Sequence, residues 1–151
     1  MAGRSSGLEC ITLIKLTFMT RIESERKHIN ASDKEVYAFM SDFNNFSGLM
    51  PPQVKNWEST VDSCSFTVEG MASLAMRITN RQAYQLVEMV SEGKSPFDFV
   101  LKCHFTSIDE KHCEAHLVFD AELNAFLSMV AVKPLTNLVN LLIDRLQAHF
   151  A

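Results

Sequence analysis

Five residues of metal-binding type fall close together in this chain: Cys103, His104, His112, Cys113 and His116. Thiolate and imidazole are both good zinc ligands, and a structural zinc site needs four of them in a tetrahedron. The residues around them alternate apolar and polar with a period of two. On that period Cys103 and Cys113 turn toward a core, while His104, His112 and His116 turn outward. The set cannot converge on one ion, and no metal site is expected. With a hairpin loop at 109–111, His104 and His116 face each other on the outer side as a solvated pair.

Other chemistry is equally short of a carrier. Serine, cysteine and histidine are all present, but no G-x-S-x-G elbow and no Cys–His signature accompanies them. Asp98, Glu114, Asp120 and Glu122 sit at outward positions of their strands, where a carboxyl group has no reason to shift its pKa for acid–base work. Tyr84 and Glu88 have no assignable face. The five glycines are dispersed singly at turns, which excludes a glycine-rich phosphate loop. No catalytic constellation and no cofactor are expected.

Composition bounds the remaining choices. At 151 residues, 47% hydrophobic and 21% charged, the chain suits one folded domain. Its formal charge of −4 and its lack of a basic run argue against nucleic acid or an anionic membrane as the main partner. Cys10, Cys64, Cys103 and Cys113 show no C-x-x-C spacing and lie in apolar segments as small hydrophobes, which fits a reducing, cytoplasmic setting. Residues 1–18 contain an apolar run that is interrupted by Lys15 and lacks a small-x-small cleavage site. They are read as an N-terminal extension, disordered or non-native, and neither a signal peptide nor an anchor; the patterned domain occupies 19–151.

The elements follow from period and punctuation. Residues 20–29 read as a strand, with Glu23, Glu25 and Lys27 on a wet face and Ile22, Ser24, Arg26 and His28 on the other. Ser32 and Glu35 make a capping box that opens a short helix bearing Val36, Tyr37, Phe39 and Met40. Asp42 caps a second short helix, carrying Phe43 and Phe46, that stops at Gly48 and the Pro51-Pro52 pair. Strands then recur through 54–59, 64–69, 74–79 and 85–90, and the alternation is clearest at Phe97, Phe99, Leu101, Cys103 and Phe105, and again at Cys113, Ala115, Leu117, Phe119 and Ala121. After Asn124 a helical stripe of Leu135, Leu138, Val139, Leu142, Leu146 and Phe150 runs to the end. Pro134 predicts a kink or a fresh helix start, and the stretch 126–132, apolar on nearly all sides, predicts cover all round.

This order resembles the START-like superfamily of pollen allergens, polyketide cyclases and lipid-transfer domains. The local residues agree: 29–37, with Ile29, Ala31, Ser32, Val36 and Tyr37, looks like the family's first-strand-to-helix junction, and 42–51 resembles its second helix. The resemblance implies an α+β helix-grip fold, a curved seven-stranded antiparallel sheet wrapped around a long C-terminal helix, with a cavity between them. Family members include binders and enzymes, so fold does not decide function.

A curved sheet cannot lie flush against a straight helix, and the gap is either filled or left as a cavity. Expected to line it are Trp57, Phe66, Leu74, Met76, Phe99, Leu101, Phe105, Leu117 and Phe119 from strands, and Met129, Leu135, Leu138 and Leu142 from the helix. Eight Met and eleven Phe suit a malleable apolar cavity. Ser24 and Arg26 are the expected polar anchors. The reading is a binding or carrier module for an apolar, lipid-like or aromatic small molecule; the alternatives are a cyclase, dehydratase or hydrolase in the same cavity, or a protein-interaction module with a filled core.

Overall fold

The computed structural model describes residues 18–93 and 95–151. The expected N-terminal extension thus lies outside the described residues except for Phe18, which opens the first strand.

Eight strands and two α-helices follow in order: β1 (Phe18–Glu23), β2 (Lys27–Ile29), α1 (Asp33–Met40), a 3-10 helix (Phe43–Gly48), β3 (Val54–Ser59), β4 (Ser63–Val68), β5 (Ala72–Gln82), β6 (Leu86–Ser91), β7 (Phe99–Asp109), β8 (His112–Leu123) and α2 (Ala125–His149). The strands form one antiparallel sheet in the order β1-β8-β7-β6-β5-β4-β3, with β2 also on β8. The count exceeds the expected seven because the first strand is broken into β1 and β2. The strand read over 74–79 does not end there: it passes a bulge between Ile78 and Asn80, and β5 runs on to Gln82.

The break in the first strand has a register cause. Glu23 pairs with Val118 and Lys27 with Ala115, so Ser24, Glu25 and Arg26 face only Leu117 and His116. One extra residue is a bulge, and it inverts which side every later residue faces. Ser24 plugs it: its N–H donates to the Leu117 carbonyl at 2.9 Å, its Oγ accepts from the Leu117 N–H at 2.9 Å, and its hydroxyl donates to the Glu25 carbonyl at 2.8 Å. Replacing Ser24 with Ala strands a buried amide, so Ser24→Ala is expected to cost about 1–3 kcal/mol in urea unfolding. A change of only a few tenths would show that the bulge does not depend on this hydroxyl.

The short helices start where their caps dictate. Ser32 Oγ accepts from the Glu35 N–H at 3.2 Å and donates to the Glu35 carboxylate at 3.3 Å. Asp42 accepts from the Asn44 N–H at 2.8 Å. These caps deliver Val36, Met40, Phe43 and Phe46 into the core.

Asn124 starts α2 by accepting from the Leu127 N–H at 2.8 Å. Pro134 lies inside the helix and does not end it. Leu135, Leu138, Val139, Leu142, Ile143 and Leu146 are buried, and α2 makes its main strand contacts with β1, β2 and β8. Lys27 ties β2 to the far half of the helix through Asp144 at 3.1 Å, and Gln147 donates to the His28 carbonyl at 2.9 Å. The near half is not covered as expected: Phe126, Met129 and Val130 are exposed. By composition α2 is long and apolar enough to cross a membrane, with mean hydropathy 1.6 over its 18-residue window. In the fold that apolar character divides between the stripe docked on the sheet and these outward residues.

Candidate functional site

The odd positions of β7 up to Phe105, and those of β8 from Cys113 on, turn inward. Phe99, Leu101, Cys103 and Phe105, then Cys113, Ala115, Leu117, Phe119 and Ala121, are all buried. Where the concave sheet meets the middle of α2, side chains from six places converge: Met50 from the loop after the 3-10 helix, Phe66 from β4, Leu74 and Met76 from β5, Phe99 and Leu101 from β7, Phe119 from β8, and Leu138, Val139 and Leu142 from α2. They leave a void of about 20 Å³. On this measure a single water needs about 10–15 Å³, and drug-sized ligands occupy pockets of roughly 300–1,000 Å³. The gap expected from sheet curvature is therefore almost wholly filled. Within that wall Phe99 stacks on Phe119, with ring centroids 4.9 Å apart and planes at 18°.

Of the expected lining, Phe66, Leu74, Met76, Phe99, Leu101, Phe119, Leu138 and Leu142 reach the void. Phe105, Leu117 and Leu135 are buried elsewhere in the core. Ser24 is consumed by the bulge. Arg26 is sent to the opposite side of the sheet, where its side chain is 62% exposed and pairs with Glu114 at 3.4 Å. The inverted register is the reason, and a strict period of two through residues 20–29 could not show it. Met129 is 83% exposed, on the helix face away from the sheet. Trp57 stacks on Phe66 just outside the void. Two wall residues were not anticipated: Val139, which was on the helical stripe, and Met50, which sits beside Pro51 in a loop with no period to reveal it.

The wall carries no titratable side chain among the described residues. Cys64, Cys103 and Cys113 are free and buried. Burial pushes the Cys64 thiol up to about 12 and the Cys113 thiol up to about 11, and it raises Cys103 as well. These thiols stay protonated and are poor nucleophiles. Glu88 lies on β6 opposite Asn80 and Lys102, and Tyr84, at φ 66°, packs edge-on against Tyr37 in the turn before it.

On the outer face His104 and His116 are register partners, their rings stacked with centroids 5.6 Å apart. His116 Nε2 lies 3.0 Å from the Glu23 carboxylate. Among the described residues no group of three or more His, Cys, Asp or Glu side chains could hold a metal ion. Partial burial, with the neighbouring His116 next, lowers the pKa of His104 below its ordinary 6.5. The unfolded chain therefore takes up this proton at a higher pH than the fold does. Stability from this group is present above the unfolded pKa and is lost as pH falls through the folded one. The urea midpoint should drop as pH goes from 7.5 toward 5, and His104→Gln should flatten that slope; an unchanged slope would reject the assignment.

A concave antiparallel sheet closed on a long C-terminal helix, with two short helices after the first strand, is the helix-grip fold. Solved structures with this fold superpose on most of the chain. Norcoclaurine synthase from Thalictrum flavum, solved in complex with dopamine and hydroxybenzaldehyde, matches with a TM-score of 0.71 at 12% identity, over 92% of this chain and 90% of that one. A START superfamily protein from Mycobacterium smegmatis matches with a TM-score of 0.64 at 12% identity, over 86% of this chain and 96% of that one. An aromatase/cyclase from Streptomyces matches with a TM-score of 0.62 at 11% identity, over 85% of this chain and 94% of that one. No family model and no curated protein sequence matches the chain. At these identities the likeness is one of fold.

Proposed function

We propose that this chain is a binding module for an apolar small molecule held between the concave sheet and α2. The observation that carries the reading is the void itself. It lies where sheet and helix grip, its wall is apolar throughout, and two of its wall residues, Met50 and Met76, come from different elements. An unbranched thioether side chain changes rotamer at little cost, so these are the residues that give way when a ligand enters. Binding then exchanges methionine contacts for ligand contacts and buries the ligand's apolar surface, worth roughly 25 cal/mol per Å² before ordering costs. Solved neighbours of the same fold include one crystallised with dopamine and hydroxybenzaldehyde, which supports a small-molecule occupant.

The test is native mass spectrometry of freshly purified protein, followed by displacement of anilinonaphthalene sulfonate with aromatic and acyl compounds. A copurified mass of a few hundred daltons, or saturable displacement, is the expected result. Failure of both would overturn the reading. The same measurement separates a second reading, an interaction module with a filled core, which the nearly closed void and the outward Phe126, Met129 and Val130 favour. In that case the core excludes every probe. The cyclase, dehydratase or hydrolase alternative finds no acid or base in the described wall to carry its proton transfers.

A further inference from the structure

Among the described residues, Trp57 Nε1 is the buried side-chain nitrogen left without a hydrogen-bond partner. Buried donors are almost always satisfied, so this one calls for a partner; Trp57 is a partly buried side chain packed against the core, with only its N–H edge fully enclosed. Its position follows from a second bulge. The β3–β4 register shifts between Lys55 and Glu58, with Asn56 at φ 56°, so Asn56 and Trp57 together face Phe66. The shift brings the indole onto Phe66 at 5.4 Å and 26°, with Phe46 at 6.3 Å and 11°. Ring faces are thus engaged with phenylalanines, and what remains for a further contact is the indole edge, which carries the N–H.

Phe66 both stacks on Trp57 and lines the void, so the indole is the next ring out from the proposed ligand site. Met50, also in the wall, belongs to the loop that leads into β3.

We propose that Trp57 is the polar anchor of this site, its N–H donating to one acceptor oxygen of an otherwise apolar ligand. This rests on the ligand-binding reading and narrows it: the ligand class is a hydrophobic carbonyl or hydroxyl compound, not a hydrocarbon and not an anion, since the described wall offers no cation. The anchor expected from sequence, Arg26, is replaced by a neutral donor on the opposite edge of the sheet.

The chain has a single tryptophan, so its indole N–H gives one resolved proton–nitrogen resonance. Acetylnaphthalene and ethylnaphthalene have nearly the same shape and differ in the carbonyl oxygen. The full chain should bind acetylnaphthalene about five- to tenfold more tightly, and only that compound should move the indole N–H resonance downfield. Trp57→Phe keeps an aromatic ring for stacking and should erase the preference. Equal affinities with an unmoved resonance would overturn the anchor while leaving the binding module intact; binding of neither compound would overturn both. Because the affinity ratio and the resonance are read on the unsubstituted protein, the outcome stands even if the variant fails to fold.

Discussion

Phe119→Ala should destabilise the protein by about 3–5 kcal/mol, and benzene or toluene should restore part of the loss. Phe119 is 4% exposed, stacks on Phe99 at 4.9 Å and forms part of the void wall. Truncation deletes a ring from a region already short of contacts, and the two spaces merge. The surrounding Leu74, Leu101, Leu138 and Leu142 make the enlarged cavity apolar, and such cavities stay dry and admit benzene-sized guests. A guest at ten times its Kd returns about 1.4 kcal/mol by mass action. Urea unfolding with and without benzene checks both halves. A loss below roughly 1 kcal/mol would mean the ring is not packed as described. A full loss with no rescue would mean that the sheet and helix collapse inward, and would weaken the case that this place opens for a ligand.

A paired substitution on α2 should give the other large effect. Leu135→Asp is expected to cost at least roughly 4 kcal/mol, because Leu135 is fully buried and the described core around it offers no cation to a carboxylate. With total stability for a domain of this size commonly about 5–15 kcal/mol, the variant should be largely unfolded or expressed as aggregate. Met129→Asp, six residues earlier on the same helix, should leave the urea midpoint within about 0.5 kcal/mol of the parent. Circular dichroism of the two variants side by side is sufficient. If Met129→Asp unfolds the protein too, the first half of α2 is covered after all.

The pair exposes how one sequence expectation failed. At 100° per residue Met129 lies about 120° around the helix from Leu135, and Phe126 and Val130 lie further round still. Leu138, Val139, Leu142 and Leu146 all fall within about 60° of Leu135. The angular evidence against Met129 was present in the chain. An apolar stretch at 126–132 hid it, because hydropathy without angle gives no direction. At Pro134 the alternative of a fresh helix start fails: one absent hydrogen bond is tolerated inside a helix whose buried stripe and far-end ties to Lys27 and the His28 carbonyl continue past it.

Alternation in β7 and β8, the caps at Ser32, Asp42 and Asn124, and the helical stripe beyond Pro134 are local properties, set by backbone geometry and by the side chain's preference for water or oil. The chain alone therefore determined the order of the elements, the side each later strand presents, and the kind of residue lining the grip. Tertiary structure decided what no local rule contains: the extra residue at Ser24–Arg26 that turns Arg26 out, the one at Asn56 that turns Trp57 toward Phe66, and the filling of the grip, where Phe99 stacks on Phe119. Bulges and cavity volume depend on how separate segments meet, and that meeting is settled by packing across the whole sheet at once.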